Sequence, residues 1–435
     1  MKSAKLLVCS LAILPAAGAH ALGDEENLFN FKVSADYGRS DNATRESVDE
    51  LKIKENQGIY TANLGAHYSN EWSNLLSNYR LKKETFESDS QPGRTELEGH
   101  TQLVLGNEFD TFGLVVSHDR RAMLDRPDAI DLTSNRDTRE IFGVAPSAKM
   151  RVSAADAIVL MGTYANISYS DDEQRQSEQK GAQLAWMHGI SKTDQLQVAV
   201  QQLETSFEHA PLADYELQVI SAEYRVVLKR LQYSVRVGYN KALPEAGDDF
   251  DSPSYLVESS FNSGINTFSF SLSQTITDSS SMGGASSMDG FNPGAGVSAK
   301  GVGLDLINLR NMTLGWSTTA ICENCTFGIN ASHMKQDYNS LKEDGDEYGA
   351  SAGFGYQFSR ASAIKLTAGH RERKFSATGS RTGFDSDHAK ISFAHDLSKG
   401  FQLELYVQQE KRSSRAEWQN YKENIAGLKI SYDLK

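Results

Sequence analysis

The stretch Leu231-Gln-Tyr-Ser-Val-Arg-Val-Gly-Tyr-Asn240 alternates strictly between two kinds of side chain. Leu, Tyr, Val, Val and Tyr occupy every second position, and Gln, Ser, Arg, Gly and Asn lie between them. Because successive side chains of a β-strand point to opposite faces, this stretch predicts a strand with one apolar and one polar face. In a soluble sandwich the apolar face is the core, whereas in a membrane barrel it contacts lipid and the polar face lines a wet interior.

The same alternation recurs along the whole chain, from Phe29–Tyr37 near its start to Ala426–Leu434 near its end. Helical spacing of apolar residues is almost absent. Nine brief turns alternate with ten longer polar connections, which leaves both chain ends on the side of the brief turns. Short periplasmic turns and long extracellular loops are typical of outer-membrane barrels. We therefore predict an all-β fold: a transmembrane, antiparallel, up-and-down β-barrel of about 20 strands, within a range of roughly 18 to 22.

Two features leave room for other arrangements. A large secreted β-solenoid or sandwich would also show alternating strands, although it offers no reason for sorting its connections by length. The segment 303–319 carries Leu304, Leu306, Ile307 and Leu309, which place apolar residues on both faces of a strand. A bulge there, or a wrongly divided pair elsewhere, would change the number of strands.

The first 21 residues have the pattern of a secretory signal peptide. Lys2 and Lys5 precede a short apolar run, and small residues follow up to Ala19-His-Ala21. We predict a signal peptide at 1–21 and one outer-membrane barrel domain at 22–435. The formal net charge is −13 and becomes more negative when the two lysines are removed, which argues against a nucleic-acid partner.

Cys322 and Cys325 are the two cysteines outside the predicted signal peptide. The oxidising periplasm favours a local disulfide that stiffens a turn between two strands. A redox-active pair or a zinc site is less consistent with the sequence, since no helix start, redox scaffold or second ligand pair accompanies them.

The polar face of the predicted strands collects charges of both signs. The candidates for lumen-facing residues are Lys32, Arg80, Lys82, Glu96, Glu98, Arg236, Lys365, Arg371, Arg373, Lys390 and Glu404. One interpretation is a salt-bridged wet interior that holds the barrel shape. The other is a polar track for a hydrophilic solute, with selectivity set by charge.

The longest connection, 278–302, is rich in Gly and Ser. It is compatible with an inward constriction or with a disordered surface loop. The sequence contains no G-x-S-x-G or H-E-x-x-H arrangement. We predict no catalytic residue, no bound metal and no cofactor, and therefore a protein that is not an enzyme.

The mature chain resembles the β-barrel porin proteins found with exopolysaccharide (exosortase-type) gene clusters. The resemblance rests on Ser40-Asp-Asn42 after the first strand, on Asp119-Arg-Arg121 leading into Gly143-Val-Ala-Pro-Ser147, and on a strand that ends Tyr169-Ser-Asp-Asp172. It implies an outer-membrane conduit for exopolysaccharide export that works with periplasmic and inner-membrane partners, and it carries over no catalytic residue. The chain departs from barrel-assembly signals at its end, Ile430-Ser-Tyr-Asp-Leu-Lys435, which does not close on an aromatic residue.

Three functions follow as hypotheses. The first is an export conduit for exopolysaccharide, with polysaccharide and periplasmic export proteins as partners. The second is a general diffusion porin for small hydrophilic solutes. The third is a plugged surface barrel that acts in adhesion. All three place the chain in the outer membrane, in contact with outer-membrane lipid and lipopolysaccharide.

Overall fold

Each of 20 β-strands pairs with its neighbour in the chain, and every pairing is antiparallel. The computed structural model describes residues 28–106, 111–280, 303–341, 343–376 and 381–434, so the predicted signal peptide lies outside the described residues. The strands are β1 Leu28–Ser40, β2 Glu55–Ser69, β3 Ser73–Phe86, β4 Arg94–Leu105, β5 Phe112–Leu124, β6 Arg136–Arg151, β7 Asp156–Tyr169, β8 Ser177–Gly189, β9 Asp194–Phe207, β10 Tyr215–Val227, β11 Leu231–Pro244, β12 Phe250–Asn262, β13 Asn266–Asp278, β14 Leu306–Thr318, β15 Cys325–Tyr338, β16 Gly345–Gln357, β17 Ser362–Phe375, β18 Phe384–Ser398, β19 Phe401–Ser414 and β20 Tyr421–Leu434. Short 3-10 helices occupy Asp49–Leu51, Thr133–Asn135, Glu173–Arg175, Pro211–Ala213 and Glu417–Gln419. Among the described residues, no helix is long and apolar enough to cross a membrane.

The sheet closes on itself because β1 also pairs with β20, for example at Ala35 and Ile430. A closed sheet has no open edge, so the backbone donors and acceptors of β1 and β20 find partners in each other. The prediction of a closed, antiparallel, 20-stranded barrel is confirmed. The sandwich alternative is wrong, since one sheet forms the whole wall.

The two faces of β11 show which side chains look outward. Val237 and Tyr239 are 58% and 46% exposed, whereas Ser234 and Asn240 are buried. The apolar face therefore lies on the outside of the barrel, and Gln232, Arg236 and Asn240 lie on the inside. This is the arrangement expected of a strand between lipid and a polar interior.

Aromatic side chains mark the end of the barrel that carries the short turns. On the outer surface, Phe261, Phe268, Trp316 and Phe327 form a chain of ring contacts with centroid separations of 6.3, 6.2 and 5.8 Å. Aromatic girdles of this kind lie at the interfaces of outer-membrane barrels. Above them the outer face is apolar, and it becomes charged only near the long loops.

Connections at the two ends differ in length as the sequence predicts. The short-turn end includes 70–72, 228–230, 263–265 and 399–400, whereas the other end, here called the mouth, includes 41–54, 125–135 and 279–305. In outer-membrane barrels the short turns face the periplasm. The mouth therefore lies on the extracellular side.

At the mouth, two pairs of neighbouring strands separate. The β4–β5 pairing stops at Gly99 and Arg120, although β4 begins at Arg94 and β5 continues to Leu124. The β12–β13 pairing stops at Tyr255 and Gln274, although both strands extend beyond it. In each case the strand after the break stays paired with its next neighbour. The connection 125–135 and the described ends of the connection 279–305 are the segments that reach inward.

The apolar pattern of 303–319 has its explanation here. Residues Leu306 and Ile307 point to opposite faces of β14, and both are buried. Leu306 packs in a cluster with Ile276, Phe207 and other residues of β9 to β11, so this part of β14 is covered on both sides. The apolar residues on both faces of this segment are therefore explained without a bulge or a change in the number of strands.

Substitution of Val235 by Arg tests the facing of the strands. Val235 is exposed to lipid, so a charge there should impair membrane insertion at a cost of about 2–4 kcal/mol near midplane. The matched variant Gln232→Arg places the same side chain in the interior and should insert normally. Insertion is measured as the heat-modifiable electrophoretic mobility of the outer-membrane fraction. Equal behaviour of the two variants would contradict this assignment.

Candidate functional site: a polar lumen with a narrowed mouth

The structure places the predicted lumen residues on the interior face. Cross-strand register puts them opposite the exposed apolar side chains: Lys32, Arg80, Lys82, Glu96, Glu98, Arg236, Lys365, Arg371, Arg373, Lys390 and Glu404. Arg80 and Lys365 are exposed even though they point inward. The lumen is therefore wide enough for water at these positions.

Charged residues of β3 and β4 form one group on the lumen wall. Arg80 contacts Glu98 at 2.5 Å between Nη2 and Oε2, and Lys82 contacts Glu84 at 2.7 Å between Nζ and Oε1. Glu96 is buried and forms an ion pair with Arg136 on β6, with 3.1 Å between Oε2 of Glu96 and Nη1 of Arg136. Opposite charges on one strand, on adjacent strands and on β4 and β6 thus neutralise each other, which is the expected pattern for a wet interior whose shape is held by ion pairs.

Other predicted residues are distributed around the wall rather than gathered in one ring. Arg236 contacts Glu223 on β10 at 2.5 Å, and Lys390 contacts Glu404 on β19 at 2.9 Å. In the described part of the chain, Lys365 has no ion pair. Positive charge is therefore available to the lumen on the β17 side.

Arg371 and Arg373 share one carboxylate near the mouth. Both contact Glu347 of β16, at 2.8 and 3.1 Å, and Arg373 also donates to Oε1 of Gln336 at 3.2 Å. The Arg373 side chain is almost fully buried. Desolvated arginines of this kind need several acceptors, and the inner faces of β15 and β16 supply them.

Residues 125–135, here called the inward loop, extend from β5 and β6 across the mouth. Arg412 of β19 donates from Nη2 to the Asp128 carbonyl oxygen at 2.6 Å and from Nη1 to the Ala129 carbonyl oxygen at 3.0 Å. Arg45, in the β1–β2 connection, donates to the Asp131 carbonyl oxygen at 2.8 Å. Distant parts of the wall therefore hold the loop, and it narrows the mouth.

The Asp128 side chain anchors the inward loop. It is buried and pairs with Arg126 at 2.9 Å and with Arg381 of the β17–β18 connection at 2.8 Å. Burial alone would raise the pKa of Asp128, but the hydrogen bonds from the two arginines outweigh burial, and the pKa is lowered. The charged form of Asp128 is thus favoured when the loop is in place.

Arg45 and Arg412, which donate hydrogen bonds to the inward loop, each contact an aromatic ring. Arg45 contacts Glu410 at 2.6 Å and Glu423 at 3.0 Å, and its guanidinium lies 5.1 Å from the centre of the Tyr421 ring. The guanidinium of Arg412 lies 3.7 Å from the centre of the Phe384 ring. Stacking and pairing hold both arginines in fixed orientations, so they present donors to the loop at little entropic cost.

The two ends of the β13–β14 connection form a second inward element, here called the inner stem (278–280 and 303–309). Asp278 accepts a hydrogen bond from the Tyr215 hydroxyl at 2.8 Å, and the Ser279 carbonyl oxygen accepts one from Arg175 at 3.1 Å. From the sequence alone, this connection is compatible with an inward constriction or with a disordered surface loop. Residues 278–280 and 306–308 are buried inside the mouth, and residues 281–302 lie outside the described residues.

Tyr169 connects the inner stem to the base of the inward loop. Its hydroxyl donates to the Ser280 carbonyl oxygen, and its ring packs with Ile167 and Met123. Met123 is fully buried at the end of β5, immediately before the inward loop. The two elements that narrow the mouth therefore share one packed contact.

The inward loop was not predicted from sequence, where 122–139 reads as one of the long polar connections. A signal was present in its apolar residues, because Met123, Leu124 and Ile130 are all buried. Apolar side chains in an otherwise polar extracellular loop indicate that the loop packs against something. Their contact partners depend on the tertiary fold and are not encoded locally.

The described residues contain no group of three or more His, Cys, Asp or Glu placed to hold a metal ion. Cys322, in the 319–324 turn, and Cys325, the first residue of β15, form a disulfide at the end of the barrel away from the inward loop. The cysteines thus belong to a turn and not to the lumen.

Comparison with known proteins finds no matching family model and no matching curated protein. Several solved structures are similar in overall strand arrangement. OccAB4 of Acinetobacter baumannii is 11% identical, with a TM-score of 0.35 and coverage of 94% of this chain and 99% of that chain. The siderophore receptor PirA of Pseudomonas aeruginosa is 9% identical, with a TM-score of 0.42 and coverage of 95% and 81%. Pseudomonas aeruginosa OpdK, solved with vanillate, is 11% identical, with a TM-score of 0.38 and coverage of 93% and 98%.

The placement in the membrane rests on the chain's own geometry. A closed antiparallel barrel with an apolar outer band, an aromatic girdle and a polar interior satisfies every constraint of a bilayer. This chain is an outer-membrane β-barrel. Its interior charges and its narrowed mouth are therefore features of a transmembrane lumen.

The variant Arg412→Ala should loosen the inward loop. Removal of the guanidinium leaves the carbonyl groups of Asp128 and Ala129 without their donors, at a cost of about 1–3 kcal/mol for a buried group. Single-channel recordings should then show a higher or more variable conductance than the unmodified barrel. Lys411→Ala is the matched control, since Lys411 is adjacent in sequence but points outward. An unchanged conductance in Arg412→Ala would contradict the role of the inward loop.

Acid should release the same loop. Because the pKa of Asp128 is lowered in the folded state, its stabilising contribution is present above the ordinary value of 3.8 and is lost as the pH falls through the lowered pKa. Conductance should therefore rise on acidification below about pH 4.

In Asp128→Asn the charge is absent at every pH. The acid-induced rise attributed to this group should disappear, and the conductance at neutral pH should already be raised. A rise of equal size in both proteins would assign the pH dependence to other groups.

Proposed function

We propose that this barrel is a passive channel for small hydrophilic solutes across the outer membrane. The observation that carries the proposal is a polar lumen with water-exposed charges, such as Arg80 and Lys365, that continues to a mouth narrowed by an ordered loop. A barrel of this strand number encloses more space than its side chains fill. Charged walls keep such a lumen hydrated, and a narrowed mouth limits the size of the solute.

Export of exopolysaccharide, implied by the sequence resemblance, stays a prediction. An extended polymer would have to pass both the inward loop and the inner stem, which occupy the same mouth. The narrowing suits a small solute better than a polymer chain.

The adhesion hypothesis requires a lumen that is plugged along its length. The exposed charges on the lumen wall favour an open interior, since a plug would cover them. A single measurement separates the two hypotheses, because a plugged barrel conducts no ions and an open channel does.

The test is permeation through the full chain reconstituted into liposomes. Swelling rates are measured with a series of neutral sugars from monosaccharide to tetrasaccharide, beside ionic conductance in planar bilayers. The expected result is sustained conductance and swelling that falls steeply with sugar size. Absence of both would overturn the proposal. Equal swelling with every sugar in the series would contradict the role given to the narrowed mouth.

A further inference from the structure

The outer surface near the mouth carries a collar of charged side chains. In most of this collar the cations are neutralised by a neighbouring carboxylate at 2.6 to 3.6 Å. The paired cations are Arg120, Lys180, Lys241, Arg310, Lys335 and Lys374. These residues lie on strands from β5 to β17, so each of these cations already has a carboxylate partner within the chain.

A different situation holds across the closure of the barrel, on β19, β20, β1 and β3. Lys411, Lys422, Arg39 and Lys83 are exposed on the outer face. In the part of the chain that the structure describes, none of the four takes part in an ion pair. Among the described residues, the outward cations of the collar that have no ion pair are therefore concentrated in the sector from β19 to β3.

Lys411 and Lys422 are direct cross-strand neighbours on β19 and β20. Like charges in this position repel each other and destabilise the pair of strands. Two carboxylates lie near this pair. Asp387 of β18 is the direct cross-strand neighbour of Lys411 and accepts a hydrogen bond from His370 at 2.8 Å, and Asp41 accepts one from Asn424 at 2.7 Å. Asp387 offsets part of the repulsion on the Lys411 side, and an anion from outside the chain would offset the rest.

The height of this pair matches the outer boundary of the bilayer. Phe401, at the short-turn end of β19, and Lys411 point to the same outer face. Ten residues of strand at about 3.3 Å each, tilted by about 40°, rise roughly 25 Å, the thickness of the apolar band of such barrels. Lys411 and Lys422 therefore lie at the level of outer-leaflet headgroups.

An apolar groove lies beside the lysines on the lipid-facing side. It is a shallow depression, open to the outside of the barrel, of about 500 Å³. Ala352, Ala368 and Ala389 are aligned in register across β16, β17 and β18, and Leu366, Ile391 and Val407 also line the groove. Val407 and Lys411 share the outer face of β19. Small residues between larger ones leave a depression that a flexible hydrocarbon chain can fill with favourable dispersion contacts.

We propose that this sector binds a phosphorylated lipid of the outer leaflet. Its phosphate lies between Lys411 and Lys422, and one of its acyl chains occupies the alanine-lined groove. Lysine ammonium groups bind phosphate as point charges, and apolar contacts below the phosphate distinguish a lipid from a free anion.

The test measures lipid binding by the full chain in detergent micelles. The chain is titrated with lipid A, and bound lipid is quantified by native mass spectrometry. Lys411→Gln and Lys422→Gln should each weaken binding about fivefold, as expected for one cation near an anionic headgroup. Lys180→Gln is the matched control, because Lys180 is an outward lysine of the same collar that already pairs with Glu178. Its effect should be less than about twofold, since its charge is already neutralised.

Two further arms identify what is bound. Dephosphorylated lipid A should bind the unmodified chain and the lysine variants equally weakly, and inorganic phosphate should compete poorly. Ala389→Trp, which fills the groove, should weaken lipid A binding without altering the degree to which inorganic phosphate competes. Heat-modifiable mobility verifies that each variant is folded.

Unchanged binding in the Lys411 and Lys422 variants would overturn the proposal. So would an equal loss in Lys180→Gln, which would indicate a general effect of surface charge. Strong competition by inorganic phosphate would indicate that the site binds a free anion and not a lipid. Conductance does not involve this outer face, so these outcomes are independent of the proposed channel.

Discussion

The pairing of β1 with β20 is the constraint on which the rest of the structure depends. Inside a bilayer an unpaired backbone N–H or C=O costs several kcal/mol, roughly, and no water is present to satisfy it. Closure of the sheet removes the edge on which such groups would lie. Once the sheet is closed, alternate side chains must face lipid or lumen, and the apolar and polar halves of each strand follow from that choice.

Above the apolar band, backbone groups no longer need a partner within the sheet, and the structure departs from a regular barrel there. The β4–β5 and β12–β13 pairings both end before their strands do. Water at the mouth satisfies the backbone groups that such a break leaves unpaired, so the cost is small. The breaks allow the inward loop and the inner stem to leave the wall. The narrowing therefore lies at the mouth rather than in the middle of the membrane.

The contacts of the candidate site are of two kinds: some join adjacent strands, and others join segments that are far apart in sequence. Arg236 could be placed in the lumen from the alternation of β11, and its partner Glu223 lies on the adjacent strand. The contact between Arg412 and the Asp128 carbonyl oxygen could not be placed in this way, since β19 and the inward loop are far apart in sequence. Ion pairs between the two strands of a hairpin can be predicted from the strand register. Contacts across the mouth depend instead on the path of an entire loop, which the register does not specify.

The sequence by itself determined the class of fold, the approximate number of strands and the face on which Val235 or Lys365 lies. These properties depend on a period of two residues and on the lengths of connections, both of which are local. Only the tertiary structure decided that Asp128 is a buried anchor, that Leu306 and Ile307 are both covered, and that, among the described residues, Lys411 and Lys422 have no ion pair whereas Lys180 and Lys374 do. The reason is physical: these features arise where closure of the barrel brings distant segments together, and no local pattern records which segments will meet.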